Sequence, residues 1–339
     1  MRHLLICLLL VAAAGANAQQ FKVTNLEVQA RGDYQREYVG GETDRDASGF
    51  KGKYFNVFFT ADLPFNLSFA VRHRLNKTTF DSNFFDATDF LNLSYRPLPQ
   101  LSVSAGKLVH MVGGFEYDRA PISLYYCSDY WNHTQPYVWG VSATFSPNEG
   151  RDELSFQFAQ SPFYHLAHDT YSYNLYWRGQ HGVWSTIWSI NAVECGQGKF
   201  VGYLALGNRF DFGKVRLDFD FMNRSAKGGA FLFGNYTVVG EIAYEPVERL
   251  WLTAKTSYDV NHTHGNADQT VWAGTELWRH SASIEYYPLR DKSLRLHAAY
   301  AYGHGTSTHP TPDLQDRQHC MDIGATYVLD ITRFFKKKQ

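Results

Sequence analysis

Residues 101–145 read LSVSAGKLVHMVGGFEYDRAPISLYYCSDYWNHTQPYVWGVSATF. Two strand patterns frame this stretch. Leu101, Val103 and Ala105 alternate with Ser102 and Ser104, and Tyr137, Trp139, Val141, Ala143 and Phe145 alternate with Val138, Gly140, Ser142 and Thr144. Successive side chains of a strand point to opposite faces, so a period of two marks a sheet between two unlike environments. The segment between them, 106–134, is far longer than a hairpin turn needs. It holds the paired glycines Gly113 and Gly114, charges of both signs, and the aromatic run Tyr125, Tyr126, Tyr130 and Trp131. Long loops of compact β proteins usually carry function, and aromatics at this density are poorly hydrated on a surface. The expectation is a loop that folds back into a β-barrel and narrows it. The alternative is a surface excursion that touches nothing.

The alternation recurs along the chain in both directions. Leu26, Val28 and Ala30 carry it first, then Phe55, Val57, Phe59 and Ala61. Val215, Leu217, Phe219 and Phe221 face away from Arg216, Asp218 and Asp220. Counting such runs gives about sixteen strands, within the range of transmembrane barrels. The run at 200–209 is less cleanly phased. Short connections (62–66, 96–100, 146–151, 179–182, 211–214, 245–249, 288–293) alternate with mostly longer ones (33–49, 76–88, 106–134, 162–170, 224–234, 260–273, 303–317), the connection at 194–198 excepted. A soluble sandwich or propeller has no reason to alternate this way. A membrane barrel does, because its short turns face the periplasm and its long loops face outside. Both termini then lie on the periplasmic side.

Composition agrees with this class. Arg2 and His3 precede an apolar run, and Ala16-Asn17-Ala18 reads as a cleavage site, so residues 1–18 are expected to be a signal peptide cut before Gln19. Beyond it no apolar stretch approaches the ~20 residues of a membrane helix. Mean hydropathy is -0.36, aromatics make up 16%, and net charge is -1. The aromatic share suits a barrel with girdles at both interfaces, and the neutral balance implies no global field for ions and no nucleic-acid partner. Cys127, Cys195 and Cys320 are too few and too scattered for a disulfide framework, although one pair could form. The expected architecture is therefore all-β: residues 19–339 as one transmembrane antiparallel barrel in the outer membrane of a Gram-negative bacterium. In lipid every backbone polar group needs a partner, which a closed sheet supplies. Apolar faces meet hydrocarbon and polar faces meet a lumen too wide for side chains to fill.

This phase assigns Arg72, Arg74, Arg178, Arg216, Asp218, Asp220, Lys255 and Arg295 to the lumen wall, and Lys107, Glu116, Asp118 and Arg119 to a constriction in the loop. Rings of charge in a pore select ions by sign. Arg72 and Arg74 opposite Asp218 and Asp220 would give a transverse field; the other reading is paired charges that brace the wall. Glu116, Asp118 and Arg119 would form an eyelet, or else tie the loop to the barrel. Lys107 is awkward, because counting from Leu101 puts it on the lipid face unless Gly106 marks a bulge. The spacing of His165, His168 and Asp169, and of His262 and His264, could hold a metal, but no matching further ligand lies nearby and solvated loop histidines are the reading favoured. No catalytic motif appears, and no cofactor is implied. The function expected is passive diffusion of small hydrophilic solutes or ions, with outer-membrane lipid as the other partner. A barrel with a structural, adhesive or enzymatic role is the alternative.

The block Gly106-Lys107, followed by Gly113-Gly114-Phe115-Glu116-Tyr117-Asp118-Arg119-Ala120-Pro121, resembles the phosphate-selective porin O and P type of outer-membrane porin. The resemblance implies a sixteen-stranded barrel, commonly a homotrimer, with the third outer loop folded into the pore. The sequence departs from that family's stacked lumen arginines and lysines, since its basics share the wall with Glu27, Glu153, Glu241, Glu285 and Asp322. It also lacks a terminal aromatic; Phe335, in phase with Tyr327, Leu329 and Ile331, would be the displaced assembly signal.

Overall fold

The structure, a computed structural model, describes residues 21–77, 83–163, 165, 167–265 and 267–333. The expected signal peptide and Phe335 lie outside the described residues. Sixteen antiparallel strands follow one another around a ring: β1 (Lys22–Val39), β2 (Glu42–Leu63), β3 (Leu67–Arg74), β4 (Thr88–Leu98), β5 (Leu101–Val109), β6 (Tyr137–Phe145), β7 (Asp152–Gln160), β8 (Tyr171–His181), β9 (Trp184–Gly196), β10 (Lys199–Asp211), β11 (Val215–Ala226), β12 (Asn235–Val247), β13 (Leu250–Asn261), β14 (Glu276–Tyr286), β15 (Leu294–Thr306) and β16 (Gln318–Asp330). Each pairs with its sequence neighbours, and β16 closes on β1 from Glu27↔Asp330 to Val39↔Gln318. The sheet has no open edge, so its ladder satisfies the backbone without water. Among the described residues no helix is long and apolar enough to cross a membrane.

The sense of the alternation is apolar outward. Phe219 is 49% exposed while its neighbour Asp218 is 7% exposed. The same split separates exposed Phe156, Leu175, Ile190 and Ile323 from buried Gln157, Asn174, Asn191 and Asp322. A water-soluble barrel would bury the first group.

Four details differ from the sequence reading. The expected outer loop at 33–49 is instead strand: β1 and β2 run up to a two-residue turn at Gly40 and Gly41, both with positive φ. Register shifts at Arg31/Gly32 and Gln35/Glu37 hide the alternation there. The connection at 194–198 is likewise shorter, since β9 runs to Gly196 and β10 begins at Lys199. The unclear phase of β10 has a packing cause. Its buried face is itself apolar, with Val201, Tyr203 and Ala205 packed in one cluster with Val112 and Tyr130. Tyr287, near the end of a strand run, suits the aromatic girdles expected at the two interfaces, as do Trp139, Tyr171, Tyr244 and Tyr258. It lies just beyond β14 and lines an internal cavity, and the exposed ring is its neighbour Tyr286.

Candidate functional site

The 27-residue gap between β5 and β6 carries two short helices, α1 (Phe115–Asp118) and α2 (Asp129–His133). Its first part lies against the wall. The Met111 N–H donates to Gln157 Oε1 at 2.9 Å, Asn191 Nδ2 donates to the Met111 carbonyl at 2.8 Å, and the Gly113 N–H donates to Ser189 Oγ at 2.8 Å. A bend of the chain out of its strand is one use for such a glycine pair. The strand instead ends at Val109, and the glycines stand where backbone meets backbone. A Cβ on Gly113 would sit 2.6 Å from the Ile187 carbonyl oxygen, and Gly114 has φ 111°.

Both helices begin on wall carboxylates. Asp220 accepts the N–H groups of Phe115 and Glu116 at 2.8 and 2.7 Å. Asp259 accepts those of Asp129 and Tyr130 at 2.8 and 3.2 Å. The first N–H groups of a helix have no internal partner and favour negative charge, so these aspartates fix where each turn starts. Ser128 adds a side-chain cap to α2, accepting from the Trp131 N–H at 3.2 Å.

Ion pairs hold the rest of the segment. Arg119 donates to Glu241 at 2.8 and 2.6 Å and to Asp218 at 2.7 Å. Arg209 holds the same Asp218 at 2.7 Å through two nitrogens. Lys255 reaches Glu116 at 3.1 Å, and Arg178 pairs with Asp118. Arg295 donates to the Ile122 carbonyl at 2.8 Å, and Arg31 donates to the same carbonyl at 3.3 Å and to that of Leu124. The segment thus bonds to strands on opposite sides of the ring, β1 and β9 among them.

The residues named from sequence fall into two groups. Glu116, Asp118, Arg119, Arg178, Arg216, Asp218, Asp220, Lys255 and Arg295 converge on the segment or its immediate surroundings. Arg72 and Arg74 stand apart, both on Asp89 at 2.8 Å. Lys107 pairs in register with exposed Trp139, the outward phase of β5, yet its own side chain is buried, as is that of Leu108 beside it. Its Nζ donates to the Phe85 carbonyl at 2.7 Å, in the connection between β3 and β4. Gly106 has φ 131°, yet the pairing keeps its register there and no bulge turns the lysine inward.

Sequence reasoning missed Asp89, Arg209, Trp251 and Asp259. Arg209 shares parity with Val201, Tyr203 and Ala205, so its direction was legible once that apolar face was recognised as internal. Trp251 faces inward, because it lines the same cavity as Arg216 and Lys255.

That cavity, of about 330 Å³, lies between residues 119–126 and strands β10 to β15. Arg119, Arg209, Arg216, Lys255 and Arg295 line it together with Glu241 and Glu285, and Tyr125, Trp251 and Tyr287 add aromatic surface. In the segment, burial pushes the Cys127 thiol up to about 12, which leaves it protonated and unreactive at neutral pH. His133 is different. Burial disfavours its charge, but the hydrogen bond to Asp129 and that carboxylate's field outweigh burial and raise it to about 9. Its ring stacks on His309 at 3.7 Å, joining α2 to the loop between β15 and β16.

No protein-family model and no curated protein sequence matches the chain. Solved structures do. The chain is similar to an anion-selective porin from Comamonas acidovorans, with TM-score 0.66 and 10% identity over 91% of this chain and 100% of that one. It is similar to outer-membrane expressed OmpT of Vibrio cholerae, with TM-score 0.65 and 13% identity over 92% and 99%. The outer membrane channel DcaP of Acinetobacter baumannii gives TM-score 0.65 and 12% identity over 92% and 98%. At these identities the likeness is one of fold, and it extends over nearly the whole of each barrel.

Proposed function

We propose that this chain is an outer-membrane porin, exported by a cleaved signal peptide, that lets small hydrophilic solutes or ions diffuse through a bore narrowed by residues 106–134. The observation that carries the reading is the attachment of one segment to β1 on one side and β9 on the other, beside an open cavity walled by charge. A chain can bond to opposite walls of a ring by crossing its interior. Narrowing then follows from volume, and wall charges act on solutes over a shortened, poorly screened distance. Alternation with apolar residues outward supports lipid as the surrounding medium, and porins and channels among the similar folds support transport. A homotrimer in a Gram-negative outer membrane fits this class. The test is planar-bilayer recording of the purified protein. Stepwise openings support a porin, and a folded but silent barrel points to a structural, adhesive or enzymatic role.

A further inference from the structure

We infer that the cavity holds a binding subsite for a small monocarboxylate carried on a flat ring, with Arg216 as the carboxylate anchor and Trp251 as the ring platform; this rests on the porin reading above. The inference starts from which cation is uncommitted. Arg119 and Arg209 both lie within 2.8 Å of carboxylate oxygens, and Lys255 lies 3.1 Å from Glu116. Arg295 lies 3.3 Å from Glu285 and also donates to the Ile122 carbonyl. Arg216 differs. Its nearest carboxylate contacts, to Asp218 and Glu241, are both 3.9 Å, beyond hydrogen-bonding distance, and its buried Nε has no partner among the described residues. A guanidinium with unused donors is suited to grip a planar carboxylate through two parallel bonds.

The surroundings set what else the ligand must be. The guanidinium lies over the Trp251 ring at 5.6 Å from its centroid, so an anion held by Arg216 has an indole alongside for a ring to stack on. Asp218 and Glu241 stand near the same guanidinium and repel a second negative charge, which disfavours a dianion such as phosphate. Arg216 and Trp251 each lie one residue inside the start of their strands, β11 and β13, so the subsite is at the short-turn end of the bore, where a solute meets it on one side of the narrowing.

Block of the open channel by sodium benzoate, acetate and phosphate at pH 8, where phosphate is mainly the dianion, tests this, using the full mature chain in planar bilayers. Benzoate is expected to block most tightly, acetate several-fold more weakly, and phosphate least. Arg216→Gln is expected to weaken benzoate block by roughly tenfold or more, the range for a lost charge-assisted hydrogen bond. Trp251→Ala is expected to bring benzoate to the level of acetate. Heat-modifiable gel mobility shows whether each variant has folded. Equal block by acetate and benzoate, stronger block by phosphate, or benzoate block unchanged in folded Arg216→Gln would overturn the subsite. If the wild-type channel stays silent, the porin reading fails. The subsite is then decided by saturation-transfer NMR of benzoate on the detergent-folded barrel: a signal lost in Arg216→Gln supports it, and no signal in wild type refutes it.

Discussion

Arg119 of the segment before β6 donates to both oxygens of Glu241 on β12, at 2.6 and 2.8 Å, and these residues lie 122 positions apart in the chain. The same guanidinium reaches Asp218, so one side chain closes a cluster that also includes Arg209 and Arg216. Arg119→Ala removes a partner from two largely buried carboxylates at once. The cost for a broken buried pair is about 3–5 kcal/mol, reduced here because Arg209 still holds Asp218. The barrel should assemble normally. Reversal potentials in a salt gradient should shift toward cations, and open-channel noise should rise as the segment loosens.

The strand phase is open to a paired test. Phe219→Arg places a charge on the exposed apolar face of β11, at a cost of about 2–4 kcal/mol near the bilayer midplane. Heat-modifiable mobility should show impaired folding. Asp218→Asn, one residue away on the buried face, should fold, should share the rise in open-channel noise of Arg119→Ala, and should shift the reversal potential the opposite way, toward anions. Equal folding of both variants would contradict the phase.

His133 makes the attachment of α2 depend on pH. Its Nδ1 lies 3.2 Å from Asp129 and its Nε2 lies 3.6 Å from Asp313, while burial and the charge of His133 hold the stacked His309 below its ordinary value. A histidine raised to about 9 contributes stability that is fully present below pH 6.5 and is lost as pH rises through about 9. Protease cleavage within residues 110–136 and 307–317 should therefore increase between pH 7 and pH 10. In His133→Gln it should be high already at pH 7 and change little with pH.

The fold was legible because a membrane barrel writes both of its environments into one period. The sixteen strands and the polar inward face follow from residues such as Phe219 and Asp218 meeting different media. Legibility failed where a third environment intervened. On β10 the inward residues Val201, Tyr203 and Ala205 meet the segment and not water, so both faces read as apolar. At 33–49 the chain is strand with register shifts, and the period blurs. The charged residues of the segment were identifiable from composition, but their partners were not. Nothing local links Glu116 to Lys255 or Tyr130 to Asp259, since these contacts are set by where the closed ring brings distant strands.

The most direct measurement is single-channel conductance of wild type against a variant with residues 115–131 replaced by a short Gly/Ser linker, in the same salt. The backbone ladder around the ring remains in the variant, so folding should survive, and the carboxylates of Asp218, Asp220 and Asp259 should rehydrate in a wider bore. Wild type is expected to open in discrete steps, and the variant is expected to give larger steps with weaker charge selectivity. Steps of unchanged size from a folded variant would place the segment outside the conducting path and contradict the account.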